Sequence, residues 1–122
     1  MPTDAIDLAD KLTLIDEHWK PGIVATYNDN KVVLVKVFGE FVWHAHADTD
    51  DLFLVISGRL LMDLRDRTVE IGPGELLVVP KGVEHRPRAL EETSLLLIEP
   101  LGTQNTGDDG ADAELAAEER WI

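Results

Sequence analysis

The sequence predicts an all-β domain, a sandwich or barrel of antiparallel strands, and three observations predict it. Between Ile23 and Pro100 the chain runs through about eight short β-type segments. Turn residues separate these segments at intervals of roughly 8–12 residues. No gap between two segments holds the dozen or so helical residues that a parallel crossover needs.

The elements follow in order. Thr3–Ile15 reads as a short helix: Thr3 or Asp4 can cap it, and Ile6, Ala9 and Leu12 recur on one face. His18-Trp19-Lys20-Pro21-Gly22 stops it. Ile23–Tyr27 and Lys31–Phe38 flank Asn28-Asp29-Asn30, a hairpin signal. Further strands are expected at Glu40–His46, Leu52–Ile56, Leu60–Leu64, Thr68–Ile71, Leu76–Val79 and Ser94–Glu99, with Gly- and Pro-bearing turns such as Gly72-Pro73-Gly74 and Pro80-Lys81-Gly82 between them. Beyond Pro100 the composition shifts. Gly102–Gly110 is polar, and Asp112–Arg120, rich in Ala and Glu, reads as a short helix in an arm that is frayed or docked on a partner subunit. The expected organisation is a helix and lead-in over residues 1–22, a barrel over 23–100 and an arm over 101–122.

Length and charge bound the function. A chain of 122 residues suits one domain. It has no cysteine, which excludes disulfides, thiolate metal sites and a cysteine nucleophile. Eleven Lys and Arg stand against 24 Asp and Glu, a net charge of −13. Such a chain repels phosphates, so neither nucleic acid nor an anionic membrane is expected as a partner. The excess reads either as an ordinary solvated surface or as adaptation to high salt. Its longest apolar runs fall far short of the roughly 20 residues of a membrane span. The acidic start, Met1 to Asp7, has none of the features of a signal peptide, so a cytoplasmic location is expected.

The chemistry concentrates in histidine. His44 and His46 alternate within an expected strand, which would put both rings on one face. Asp51 follows, and His85 lies just past Pro80-Lys81-Gly82. Three imidazoles and a carboxylate suit a divalent transition metal: Fe, Mn, Co, Ni, Cu or Zn.

The spacing resembles the cupin superfamily. Its first motif is matched by Gly39, His44-Ala45-His46, Asp51 and Gly58, and its second by Gly74, Pro80-Lys81-Gly82 and His85. The resemblance implies a double-stranded β-helix, the jelly-roll barrel of a small single-domain cupin, with a metal inside its mouth held by His44, His46, His85 and Asp51. Single-barrel relatives commonly dimerise, so it also implies a homodimer. Three positions depart from the pattern. Asp51 stands where the family usually has Glu, about 1.5 Å shorter. It either ligates through a small shift or a water, or stands behind a three-histidine centre as a base. Ala89 replaces an Asn, and the spacer from Gly39 to His44 is short by one residue.

Other residues carry lesser expectations. Glu99 shares parity with Leu95 and Leu97 and reads, with Asp51, as a proton-handling acid. Phe53 and Val55 are expected to line the barrel. Phe41 and Trp43, of opposite parity to the histidines, are expected to point away from it and, with the first helix, to form the subunit contact. Lys36 either faces the pocket or points outward; Arg86 and Arg88 either draw an anionic substrate to the mouth or pair with nearby acids. His18 reads as a surface residue.

Three functions fit. The first is a metal-dependent enzyme on a small organic molecule, anionic or neutral, either a dioxygenase or an isomerase-like enzyme. The alternatives are a non-catalytic module that binds a small ligand or a metal, and a storage barrel.

Overall fold

Strands dominate the computed structural model, which describes residues 3–107 and 115–122. One short helix precedes them: α1, Leu8–Leu12. It is shorter than the sequence suggested because Asp7, not Thr3 or Asp4, caps it. The Asp7 carboxylate accepts the Asp10 N–H at 3.1 Å. Tight i→i−3 bonds from Thr13, Leu14 and Ile15 then close it.

The strands are β1 (Gly22–Tyr27), β2 (Asn30–Glu40), β3 (Asp51–Ser57), β4 (Leu60–Leu64), β5 (Thr68–Ile71), β6 (Leu76–Val79) and β7 (His85–Pro100). All pairings between them are antiparallel, in the order β1-β2-β7-β3-β6, with β4 bridging β5 and β7. Strand β7 organises the barrel. Its first part, from His85 to Arg88, pairs with β4, its last part, from Ser94 onward, pairs with β3, and β2 runs along it from Arg88 to Pro100 across a bulge. The sequence suggested only the second part, because Pro87 and the arginines interrupt any apolar run. Conversely, Glu40–His46 is not a continuous strand. The chain leaves β2 after a bulge between Val37 and Gly39, and only His44 keeps a bridge, to His85.

Period-two alternation buries one face of each strand. Val33, Val35 and Val37 of β2 meet Leu95 and Leu97 of β7 and Phe53 and Val55 of β3, with Leu60 and Met62 of β4 beyond. On the outer face, α1 lays Leu8 and Leu12 over Val24, Leu34 and Leu96. Gly58, at φ +85°, makes the β3–β4 turn so close to Thr93 that a Cβ would lie 2.8 Å from the Thr93 backbone.

The tail packs on its own barrel. Residues 115–120 carry no helix, and residues 112–114 of the expected helix lie outside the described residues. Instead the tail runs extended beside β1: Ile23 N–H donates to Arg120 O at 2.7 Å, and Ile122 N–H to Ile23 O at 3.1 Å. The open edge of β1 wins over Ala/Glu helix propensity because it offers unpaired peptide groups. Among the described residues no helix is long and apolar enough to cross a membrane.

Candidate metal centre

His44 and His46 lie between β2 and β3, and His85 opens β7. Main-chain bonds bring them together. His44 and His85 exchange N–H···O bonds at 3.0 and 2.9 Å, and Gly82 N–H donates to His46 O at 2.8 Å. The ring centroids are 4.2 Å apart for His44 and His85, 5.2 Å for His44 and His46, and 5.9 Å for His46 and His85. One nitrogen from each of the three falls within 4.8 Å of the other two. The expected convergence is therefore present, although it comes from a bridged loop and not from a regular strand.

The ring hydrogen bonds favour metal binding. His44 Nδ1 lies 2.9 Å from Val42 O, and His85 Nδ1 lies 2.9 Å from Val83 O. Each carbonyl can only accept, so the proton sits on Nδ1 and the Nε2 lone pair is left free. Buried His85 Nε2 has no hydrogen-bond partner. Burial and the neighbouring imidazoles lower His44 to about 4, and burial also lowers His85. Both rings are neutral at pH 7, the state a metal requires. The donor set thus fits a divalent transition metal.

Asp51, the first residue of β3, lies to one side. Its Oδ2 is 3.4 Å from His46 Nε2. Asp51, His46 and Glu99 form a second group with donor atoms within 4.8 Å. Register explains the meeting: Leu52 pairs with Ile98, so the next antiparallel step sets Asp51 beside Glu99, and Lys31 pairs with Glu99 from the other side. The result is a buried row of Lys31, Glu99 and Asp51 across three strands. Burial pushes the Glu99 carboxyl up to about 9, and the Asp51 charge adds to this. Lys31, 3.6 Å away, opposes the shift but is shared with Thr103 O at 3.0 Å and Glu119 at 3.7 Å. Sequence reasoning passed over Lys31. Its signal was its parity with Val33, Val35 and Val37.

A mostly apolar cavity of about 50 Å³ adjoins His44, walled by Trp19, Phe41, Phe53, Leu95 and Leu97, with Asp51 and Glu99 also on its lining. Phe53 is where parity placed it. Phe41 is not: it is buried, stacks on Trp19 at 4.6 Å and meets His44 edge-on at 5.4 Å. The parity rule failed because the chain turns as it leaves β2. Trp43 lies on the far side, under the Arg65 guanidinium at 3.9 Å. Lys36 turns away from the cavity to bond Ile15 O at 3.1 Å. Arg86 and Arg88 do not guard a mouth either. Both grip Asp63, at 2.9 and 2.8 Å. His18 is exposed and pairs with Glu92 at 2.9 Å.

The sequence profile of the cupin domain matches residues 31–99, more than half of the chain. This chain is a cupin. Among known proteins, the cupin is 39% identical over 77 residues to YdbB of Bacillus subtilis (strain 168), itself described as uncharacterized, covering 62% of this chain and 68% of YdbB. It is 49% identical to a cupin-2 domain containing protein of Shewanella frigidimarina, with a TM-score of 0.77 over 78% of this chain and 93% of that one. It also shares its fold with hydroquinone 1,2-dioxygenase from Sphingomonas sp. TTNP3, at a TM-score of 0.72 and 21% identity, over 80% of this chain and 32% of that one. That last likeness is one of fold alone. Trp19, Pro21 and Asn105 line the cavity from outside the matched cupin segment, so no cupin motif pointed to them.

Proposed function

We propose that this cupin holds a divalent transition metal on His44, His46 and His85 and acts as an enzyme on a small organic molecule seated in the adjoining cavity, as a dioxygenase or an isomerase. One observation carries the reading. Three imidazoles converge, two of them with Nδ1 committed to a backbone carbonyl, and the buried Nε2 of His85 has no protein partner. A buried nitrogen without a partner is costly unless something else uses its lone pair.

When bound, the metal would supply Lewis acidity and open positions for an oxygen ligand. The chain does the rest. Backbone bonds at His44 and His85 hold the rings. The apolar walls exclude water from the reacting end. Glu99 keeps its proton at neutral pH and can pass it along the Asp51 pair toward the cavity, with Asp51 as the accepting partner.

The test is metal analysis of the natively isolated protein beside a His44→Ala/His46→Ala variant. The expected result is stoichiometric metal in the first and none in the second, with the barrel still folded. Stoichiometric metal in the double variant overturns the assignment. Oxygen uptake with a panel of small carbonyl and hydroxyl compounds then separates a dioxygenase from an isomerase. Metal and ligand binding without turnover would leave a non-catalytic binding module.

The partner copy of a homodimer fits best on the outer face of β3, β6 and β7. There Leu52 lies between Val78 and Ile98, and Leu54 between Leu76 and Leu96. Leu76 and Val78 are 59% and 44% exposed, an apolar patch that α1 leaves uncovered. This replaces the contact suggested by the sequence, since Phe41 faces the cavity and α1 packs on its own sheet. Sedimentation of the protein and of a Leu76→Lys/Val78→Lys variant tests it: dimer for the first, monomer for the second.

A further inference from the structure

The walls of the cavity say what kind of molecule enters it, given the metal site proposed above. The described lining contains no lysine or arginine. Its ionisable members are His44, Asp51 and Glu99, gathered with the metal-facing end. Lys31 reaches Glu99 from behind, on a separate cavity beneath the tail. A charged group carried on the body of a ligand, away from His44, Asp51 and Glu99, would meet hydrocarbon, aromatic rings and the Asn105 amide, which is already bonded to Leu115 O and Ala117 N–H. It would lose its hydration without gaining a partner. The volume sets the size. About 50 Å³ is room for only a few water-sized groups.

Trp19 closes the cavity in an unusual way. It sits at φ +65°, a left-handed conformation that bulky residues rarely adopt. Two hydrogen bonds hold it there: its backbone N–H donates to Lys36 O at 2.9 Å and its indole Nε1–H to Phe38 O at 2.9 Å. Both indole edge and backbone are thus fixed to β2, and the ring lies flat on Phe41. Backbone strain kept by surrounding bonds and placed on a cavity wall is a recurrent mark of a functional position.

We infer that the cavity selects a small molecule that is apolar and uncharged along its body and bears oxygen at one end, and that Trp19 is the residue that sets its size. The selectivity is then written in the lead-in segment and not in the cupin motifs. The basic residues of the second motif lend the cavity no charge: Arg86 and Arg88 are bound to Asp63, and Lys81 is not on its lining.

The experiment titrates methyl-labelled protein with 2-butanone, 4-amino-2-butanone and 4-oxopentanoate, which share the ketone end and differ in the charge carried at the other. The methyl signals of Val35, Val37, Leu95 and Leu97 report binding. 2-Butanone is expected to bind at least ten-fold more tightly than either ion. Equal or tighter binding of an ion overturns the inference. Cyclohexanone then tests size. It should bind at least ten-fold better to Trp19→Ala than to the unaltered protein, and at least three-fold better to Trp19→Phe, which keeps a ring should the first variant not fold. Unchanged cyclohexanone affinity in whichever variant folds overturns the role of Trp19. Metal content is measured on the same samples. Selectivity without metal refutes the metal site and upholds the wall, whereas metal without selectivity does the reverse.

Discussion

His44 and His85 are joined by their main chains: each N–H donates to the carbonyl of the other, at 3.0 and 2.9 Å. The link needs no imidazole. It fixes where both rings start, and the Nδ1 bonds to Val42 and Val83 then fix where they point. Ring chemistry and local structure are therefore separable at this site. His85→Gln should keep the bridge and a cooperative unfolding transition while weakening metal binding by on the order of 100-fold. Competition against a chelator measures the affinity, and urea unfolding followed by circular dichroism measures the fold. Undiminished affinity would remove His85 from the ligand set.

The metal-stripped protein should be most stable near pH 6, because the buried histidines and Glu99 act in opposite directions, His85 in the same direction as His44. His44 falls to about 4 in the folded state, against an ordinary value near 6.5, as burial and the His85 charge disfavour its protonated form. The unfolded chain takes up a proton first as pH drops. Stability is therefore full above about 6.5 and lost as pH falls toward 4, by roughly 2–3 kcal/mol. Glu99 rises to about 9 from an ordinary 4.5, through burial and the Asp51 charge. Its contribution is full below 4.5 and lost as pH rises toward 9. Urea midpoints from pH 4 to 9 check both arms, and Glu99→Gln should flatten the alkaline one. A midpoint that climbs steadily across the range would refute the Glu99 assignment.

Much of this could be read from the chain, and the failures share a cause. His44, His46, His85 and Asp51 stand out because turn glycines and Pro80 fix their spacing. The short strands stand out because Val, Ile and Leu alternate. Parity works only while a strand continues, so Phe41 was misplaced once β2 bulged before Gly39 and ended at Glu40. Trp19 lies in an irregular lead-in, where no period says which way a ring points. The first half of β7 holds Arg86, Pro87 and Arg88, and it is a strand because β4 offers it partners, which is long-range information. The tail beside β1 is the same case. Lys31 was visible in the alternation of β2, but a lysine at a core position becomes intelligible only once Glu99 is known to face it.

Asp51 is the residue where the motif and the geometry differ most. Its carboxylate reaches His46 at 3.4 Å and groups with Glu99, while His44, His46 and His85 form their own cluster. Adding one methylene would carry the carboxylate about 1.5 Å further. If the three histidines hold the metal without Asp51, Asp51→Glu should supply a fourth ligand and tighten binding by about ten-fold. That gain corresponds to about 1.4 kcal/mol. Weaker binding in the variant would show that Asp51 is already a fitted ligand.

Asp63 holds the far wall of the barrel. From β4 it accepts from Arg86 Nη2 at 2.9 Å, Arg88 Nε at 2.8 Å and Thr68 Oγ1 at 2.7 Å, which ties β4 to β7 and to the start of β5. Chiefly the Arg88 hydrogen bond holds its carboxyl down, near 2. Asp63→Asn would leave two adjacent guanidinium groups with weakened acceptors and no neutralising charge beyond Glu40, 3.4 Å from Arg86. The expected cost is about 2 kcal/mol, read as a lower urea midpoint with an unchanged slope. The aspartate's contribution is present above its ordinary value of 3.8 and is lost as pH falls toward 2. The gap between the two proteins should therefore narrow in that window. Because Asp63 is not on the cavity lining, metal content and 2-butanone affinity should not change. A loss of either would mean that the Arg86–Asp63–Arg88 cluster also positions His85 at the start of β7.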